Sequence, residues 1–87
     1  MEPAEFSELT HRTTANLVGR IPARYREAME GLLIGGEMRL VVTNLAITLV
    51  DDQVPVTAAE RDDVRRLLEH LKEPTDNLAR LNVVPEA

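Results

Sequence analysis

Residues 37–50, with the sequence EMRLVVTNLAITLV, decide whether this chain folds as an all-α or a mixed protein. β-Branched side chains are frequent in this stretch, and they favour strands. A strand, however, would carry apolar side chains on both faces, with neither face cleanly polar. In a helix, four apolar residues fall on one face at i, i+4, i+7 and i+11, namely Met38, Val42, Leu45 and Leu49. We therefore predict a helix over residues 37–50.

The same projection places Leu40 and Ile47 on the opposite side of this helix. A helix that is apolar on two sides either lies at the centre of a small bundle or leaves one side for a partner.

Two helices are predicted before this segment. The first covers residues 3–18, begins near Pro3, and has one face formed by Phe6, Leu9, Thr13 and Leu17. The second covers residues 22–34 and ends at two consecutive glycines. Its apolar residues fall within a sector about 140° wide and are predicted to be buried: Tyr25, Ala28, Met29, Leu32 and Leu33.

A fourth helix is predicted over residues 58–73. Thr57 and Glu60 have the spacing of a capping box at its start, and Pro74 marks its end. Its apolar stripe consists of Val64, Leu67, Leu68 and Leu71. Residues 75–84 are predicted to form a short helix or an extended tail. The expected fold is all-α, a small four-helix bundle with a short carboxyl-terminal tail in one domain, residues 1–87.

Length and composition support a single folded domain. A chain of 87 residues can build only one core. Its 44 % hydrophobic and 29 % charged residues lack the signature of disorder. No apolar run approaches the roughly 18 residues of a membrane span. The acidic amino terminus is unlike a secretory signal, and the chain contains no cysteine. We therefore expect a cytoplasmic protein with no membrane partner.

The net charge of −5 is concentrated in residues 51–63, where five acids face Arg61 alone. Such a patch repels nucleic acid. Residues 58–81 resemble a helix-turn-helix in spacing, but residues 75–87 offer only Arg80 for DNA contact. The sequence therefore predicts no nucleic-acid partner and favours a basic protein surface.

Helix geometry accounts for part of the acidic run. Acids in the first turn of the fourth helix interact favourably with its dipole, and Asp62 is expected to pair with Arg66. Asp51 and Asp52 follow a helix, where the dipole disfavours negative charge. Conflicts between local rules tend to mark functional sites, so a binding role is an alternative to a solvated surface.

Catalytic patterns are lacking in the sequence. His11 and His70 have no second ligand at zinc-binding spacing, and Ser7 lies outside any Gly-x-Ser-x-Gly frame. The glycines of IGGEMR do not form a phosphate-binding motif. We therefore predict no enzyme activity, metal or cofactor.

The stretch GLLIGGEMRLVVTNLAITLVDDQVPVTAAERDDVRRLLEHL, residues 31–71, resembles the small immunity proteins of bacterial polymorphic and contact-dependent toxin systems, in particular the MafI-like group. The similar features are a glycine-glutamate step at residues 36–37, an apolar helix, a Pro-Val-Thr step at residues 55–57 with an acid at Glu60, and a leucine-rich helix. The resemblance implies a helical protein that binds and neutralises one cognate toxin, commonly a nuclease with a basic active site.

The sequence thus predicts an immunity protein that presents carboxylates to a toxin. The predicted partner-binding residues are Glu37, Asp51, Asp52, Asp62, Asp63 and Glu69. The alternative is a homo-oligomeric helical scaffold or regulatory adaptor, such as a homodimer, that uses Leu40, Ile47 and Val50 as its contact surface.

Overall fold

The computed structural model describes residues 1–86 and confirms an all-α fold with four helices. Their bounds are α1, Pro3–Leu17; α2, Ala23–Ile34; α3, Met38–Asp51; and α4, Ala58–His70. A 3₁₀ turn, Val18–Arg20, follows α1, and a 3₁₀ helix, Asp76–Arg80, lies in the tail. The buried apolar side chains form one cluster. Within residues 1–86, no helix is long and apolar enough to cross a membrane.

The ambiguous central segment is a helix, and α3 lies at the centre of the bundle. It packs against α1, α2, α4 and the 3₁₀ helix of the tail. Its inward face contributes Val41, Val42, Leu45, Thr48, Leu49 and Val50 to the interior. Leu40 and Ile47 are 46 % and 54 % exposed on its other side. The helix is therefore both central and open to solvent along one face.

The buried face of α1 is the predicted one. Phe6, Leu9, Thr13 and Leu17 are all buried, and Thr10 and Thr14 widen the stripe. The Thr10 hydroxyl donates to the Phe6 carbonyl oxygen at 2.8 Å, so this buried polar group is satisfied within its own helix. This face of α1 packs against α3 and α4.

The predicted burial of α2 is wrong for Tyr25 and Ala28. Tyr25 is 38 % exposed, Ala28 is exposed, and Met29 is the buried residue of this helix. Leu32 and Leu33 are partly buried. The reason is that α2 packs mainly on α3, so only a narrow part of its apolar sector meets another element.

Three helices end at a residue in the left-handed conformation. These residues are Gly36 with φ 77°, Gln53 with φ 49° and Lys72 with φ 58°. After α4, the Glu73 amide donates to the Leu68 carbonyl and the Lys72 amide to the Glu69 carbonyl, which is a Schellman motif. The predicted end of this helix at residue 73 is therefore late, because Lys72 reverses the chain before Pro74.

We expect Lys72→Gly to raise the free energy of unfolding by about 1 kcal/mol, because the left-handed conformation costs a side-chain-bearing residue about that much. Urea unfolding would measure the change. Gln53→Gly is the matched control. It also removes a side chain from a left-handed position, but the Gln53 side chain donates to the Val50 and Arg80 carbonyls, and the loss of these hydrogen bonds offsets the gain from relieving the backbone. A stabilisation equal in both variants would contradict this account.

The tail folds back on the core as a 3₁₀ helix followed by an extended segment. Leu78 and Leu81 are buried, and Val56 forms an isolated parallel bridge with Val83. The Val56 amide donates to the Asn82 carbonyl at 3.0 Å, and the Val84 amide donates to the Val56 carbonyl at 2.8 Å. These bonds hold the α3–α4 connection against the end of the chain.

Candidate functional site

The six carboxylates predicted to bind a partner divide between two helices. Glu37 precedes α3, Asp51 and Asp52 end it, and Asp62, Asp63 and Glu69 lie on α4. Asp51 and Asp52 line one groove between α2 and α3. Asp63 and Glu69 line separate depressions beside opposite ends of α1. The structure therefore brings Asp51 and Asp52 together, and it does not gather all six residues in one groove.

Four of the five acids in residues 51–63 form ion pairs with arginines of this chain. The pairs are Asp52–Arg24 at 3.3 Å, Glu60–Arg20 at 2.6 Å, Asp62–Arg61 at 3.1 Å and Asp63–Arg66 at 3.9 Å. Arg20 and Arg24 come from the amino-terminal half, so a division of charge along the chain does not reveal them. The sequence predicted a pair between Arg66 and Asp62, but Arg66 pairs with Asp63 instead. Folding thus offsets much of the local charge.

Asp51 is the exception. Its side chain is exposed and forms no ion pair within residues 1–86. It is also the last residue of α3, which has no basic residue in its last turn. The partial negative charge at the carboxyl end of the helix and the charge of the carboxylate therefore lie together at one point of the surface. Glu37 and Glu69 likewise form no ion pair in this part of the chain, but Glu37 precedes α3, and Glu69 shares the last turn of α4 with the basic residue His70.

Glu60 joins the start of α4 to the end of α1. Its Oε1 atom accepts from the Thr57 amide at 2.8 Å and from Arg20 Nη1 at 2.6 Å, and its Oε2 atom accepts from Arg20 Nη2 at 2.8 Å. The hydrogen bond from Arg20 is the main cause that lowers the pKa of Glu60. Arg20 also donates to the Pro55 carbonyl. The capping box is as predicted, but the link to Arg20 spans 40 positions and has no local sequence signal.

The exposed side of α3, called the α3 face below, has the spacing i, i+3, i+4, i+7 and i+11. It comprises Leu40, Thr43, Asn44, Ile47 and Asp51. Val50, which the sequence placed on this surface with Leu40 and Ile47, is only 7 % exposed and belongs to the core. Two large apolar side chains at helical spacing, with a carboxylate one turn beyond Ile47, are suited to protein contact.

A groove of about 260 Å³ runs along each side of the α3 face. Ile47 and Asp51 line both of them. The α2–α3 groove is completed by α2, including Tyr25 and Ala28, and the described residues of its lining include two carboxylates and no cation. The α3–tail groove, on the other side, contains Arg80. Tyr25 and Ala28 are the residues that pattern reading missed, because their apolar character assigned them to the core.

These surfaces offer apolar contact and negative charge. Within residues 1–86, no three His, Asp or Glu side chains are grouped so as to hold a metal ion. Comparison of the chain with protein-family models, with curated proteins and with solved structures finds no match.

Proposed function

We propose that this chain is a non-catalytic immunity protein that neutralises a cognate bacterial toxin by covering a basic surface on it. The resemblance of residues 31–71 to such proteins suggests the class. The observation that supports it best is Asp51, an exposed carboxylate without an ion pair in residues 1–86, at a helix end that lacks a basic residue. A lysine or arginine of a partner would supply the missing charge.

The acids of the predicted site are unequal under this proposal. Asp52, Asp62 and Asp63 already pair with arginines at exposed positions, where such pairs contribute only about 0–1 kcal/mol to stability. A partner's cation can therefore replace or join these arginines at little cost. Asp51 has no competing arginine within residues 1–86, so we expect its substitution to weaken partner binding more than substitution of the other acids does.

If the proposal holds, the gene immediately upstream encodes a large secreted protein with a variable carboxyl-terminal domain, and the test uses that domain. Expressed alone in a bacterial host, this domain should stop growth, and co-expression of the wild-type chain should restore it. We expect the fourfold variant Asp51→Lys, Asp52→Lys, Asp62→Lys, Asp63→Lys to lose protection. Close interfacial charge pairs couple by about 1.5–7 kcal/mol, so four reversals should weaken binding by about a thousandfold or more.

The matched control reverses four exposed acids outside this region: Glu5, Glu8, Glu27 and Glu30. The control has the same net charge as the test variant and should still protect. Protection by the fourfold test variant would refute the acidic surface. A domain that is not toxic, or that kills despite the wild-type chain, would refute the immunity function itself.

The second candidate is a homo-oligomeric scaffold, and the exposure of Leu40 and Ile47 favours it. Sedimentation equilibrium separates it from the first. A dimer that Ile47→Asp converts to a monomer, together with failure of the toxin test, would favour the scaffold.

A further inference from the structure

The α2–α3 groove combines an apolar surface with negative charge. Its walls include Tyr25 and Ile47, which are 38 % and 54 % exposed, and its floor includes the buried Met29. Asp51 and Asp52 lie where α3 ends, and no Lys, Arg or His is among the described residues of the lining. An exposed apolar groove with charge at one end is typical of surfaces that bind another protein.

The charge at this end is only partly neutralised. Arg24 donates to Asp52 at 3.3 Å, and its guanidinium lies 4.7 Å from the centroid of the Tyr25 ring. That arrangement holds Arg24 beside Asp52 and leaves Asp51 without a counter-ion in residues 1–86. One cation from outside would complete the site, and it would also face the negative end of the α3 dipole.

The shape of the groove selects a helix as the occupant. Three residues, 35–37, connect α2 to α3, and Arg24 near the start of α2 pairs with Asp52 at the end of α3, so the two helices run antiparallel and residues along both of them line the groove. A helix satisfies its own backbone and packs its side chains between the ridges of neighbouring helices. A strand would need an open sheet edge, and the isolated bridge of Val56 and Val83 is the only pairing in the described chain.

We propose that the α2–α3 groove binds a helix of a partner protein, with apolar residues one turn apart against Tyr25, Ala28 and Ile47, and a lysine or arginine against Asp51. The inference rests on the proposed function only in that the chain is a protein-binding domain. It adds the surface and the chemistry of the partner, and it does not depend on the partner being a toxin.

A second copy of the chain fits this site less well. Two-fold pairing would pack the α3 face onto itself, and that face contains no cation to meet Asp51. The net charge of −5 also opposes self-association. The α3–tail groove fits a basic helix less well, since the cationic residue Arg80 is part of its lining.

The test is selection of helical peptides by the full-length chain. A displayed library of helices of about 18 residues, or five turns, is enriched for binding to the wild-type chain. We expect the selected peptides to share apolar residues at i, i+3 or i+4 and i+7, with an excess of lysine and arginine. No toxin is involved, so this result and the growth test can fail independently.

Affinities for one selected peptide then locate the contact. We expect Ile47→Asp to weaken binding by about thirtyfold, the effect of a central contact residue, and Asp51→Lys by about tenfold or more. The controls are Ile34→Asp, since Ile34 is 89 % exposed and lines neither groove, and Glu30→Lys, which makes the same charge change at an exposed position of α2 that lines neither groove. Both should bind within about twofold of wild type.

Each variant alters an exposed side chain, and its thermal unfolding midpoint is compared with that of the wild type. If Ile47→Asp lowers the midpoint, Ala28→Lys serves as the second variant, because it places a long cationic side chain on the α2 wall, where it blocks the groove and repels a basic helix. The proposal is overturned if no peptide is enriched, if selected peptides are neutral or acidic, or if these variants bind as the wild type does. A wild-type dimer that Ile47→Asp separates would also overturn it, because a second copy would then occupy the groove.

Discussion

Leu45→Ala should lower the free energy of unfolding by about 3–5 kcal/mol. Leu45 is 1 % exposed and lies on the inward face of α3, the helix that contacts α1, α2, α4 and the tail. Truncation removes buried apolar atoms and leaves a cavity that several elements would have to move to fill. Total stability of a small domain is about 5–15 kcal/mol, so this one change should remove a large part of it.

Leu40→Ala is the matched control, because it removes the same atoms from the same helix. Leu40 is 46 % exposed on the α3 face, so we expect a change within about 0.5 kcal/mol. Urea unfolding of both variants, with unchanged dependence on urea concentration, measures the difference. Equal losses at the two positions would show that α3 is rotated relative to the orientation described.

Glu60→Ala should produce the second-largest loss, about 2–3 kcal/mol at neutral pH. The change removes the capping-box contact to the Thr57 amide and both hydrogen bonds from Arg20. A helix cap contributes about 1 kcal/mol. A hydrogen bond to a charged group contributes about 1.5–3 kcal/mol, discounted here because the Arg20 side chain is 39 % exposed.

Glu60→Gln separates the two contributions. Glutamine can retain the capping contact but has no charge for Arg20, so we expect a loss of about 1–2 kcal/mol. Urea unfolding of the alanine and glutamine variants provides the comparison. If the alanine variant were no less stable than the glutamine variant, the capping contact of Glu60 would contribute nothing.

The contribution of Glu60 should also depend on pH. Its pKa in the folded chain lies below the ordinary value of 4.5, mainly because Arg20 donates a hydrogen bond to the carboxylate. A lowered folded pKa means that the added stability is present above 4.5 and is lost as the pH falls through the folded value. The difference in free energy of unfolding between wild type and Glu60→Gln should therefore shrink as the pH falls below 4.5. A difference that stays constant under acid would contradict the ion pair.

Hydrophobic periodicity and capping residues predicted the structure correctly where each residue's environment is set by its neighbours along the helix. Periodicity outweighed β-branching in residues 37–50 and correctly placed Leu40 and Ile47 opposite the core. The Thr57 capping box formed as predicted because all of its atoms lie within four residues. The buried stripe of α1 followed for the same reason.

The pattern failed where a residue's environment depends on which elements pack nearby. Tyr25 and Ala28 belong to an apolar sector wide enough for a buried helix, yet α2 meets only α3 as its main partner, so this part of the sector lines an open groove. Lys72 ends α4 before Pro74 because its left-handed conformation lets the Glu73 amide reach the Leu68 carbonyl. Nothing in the type of residue 72 signals that conformation.

The sequence by itself determined the number of helices, most of their limits, and the two-sided character of α3, because these depend on contacts between near neighbours in the chain. Only the tertiary structure decided which charges remain unpaired. Arginines 28 and 40 positions away reach Asp52 and Glu60, and no arginine among residues 1–86 reaches Asp51. Ion pairing depends on distance in space, so the charge exposed to a partner is fixed only when the helices pack together.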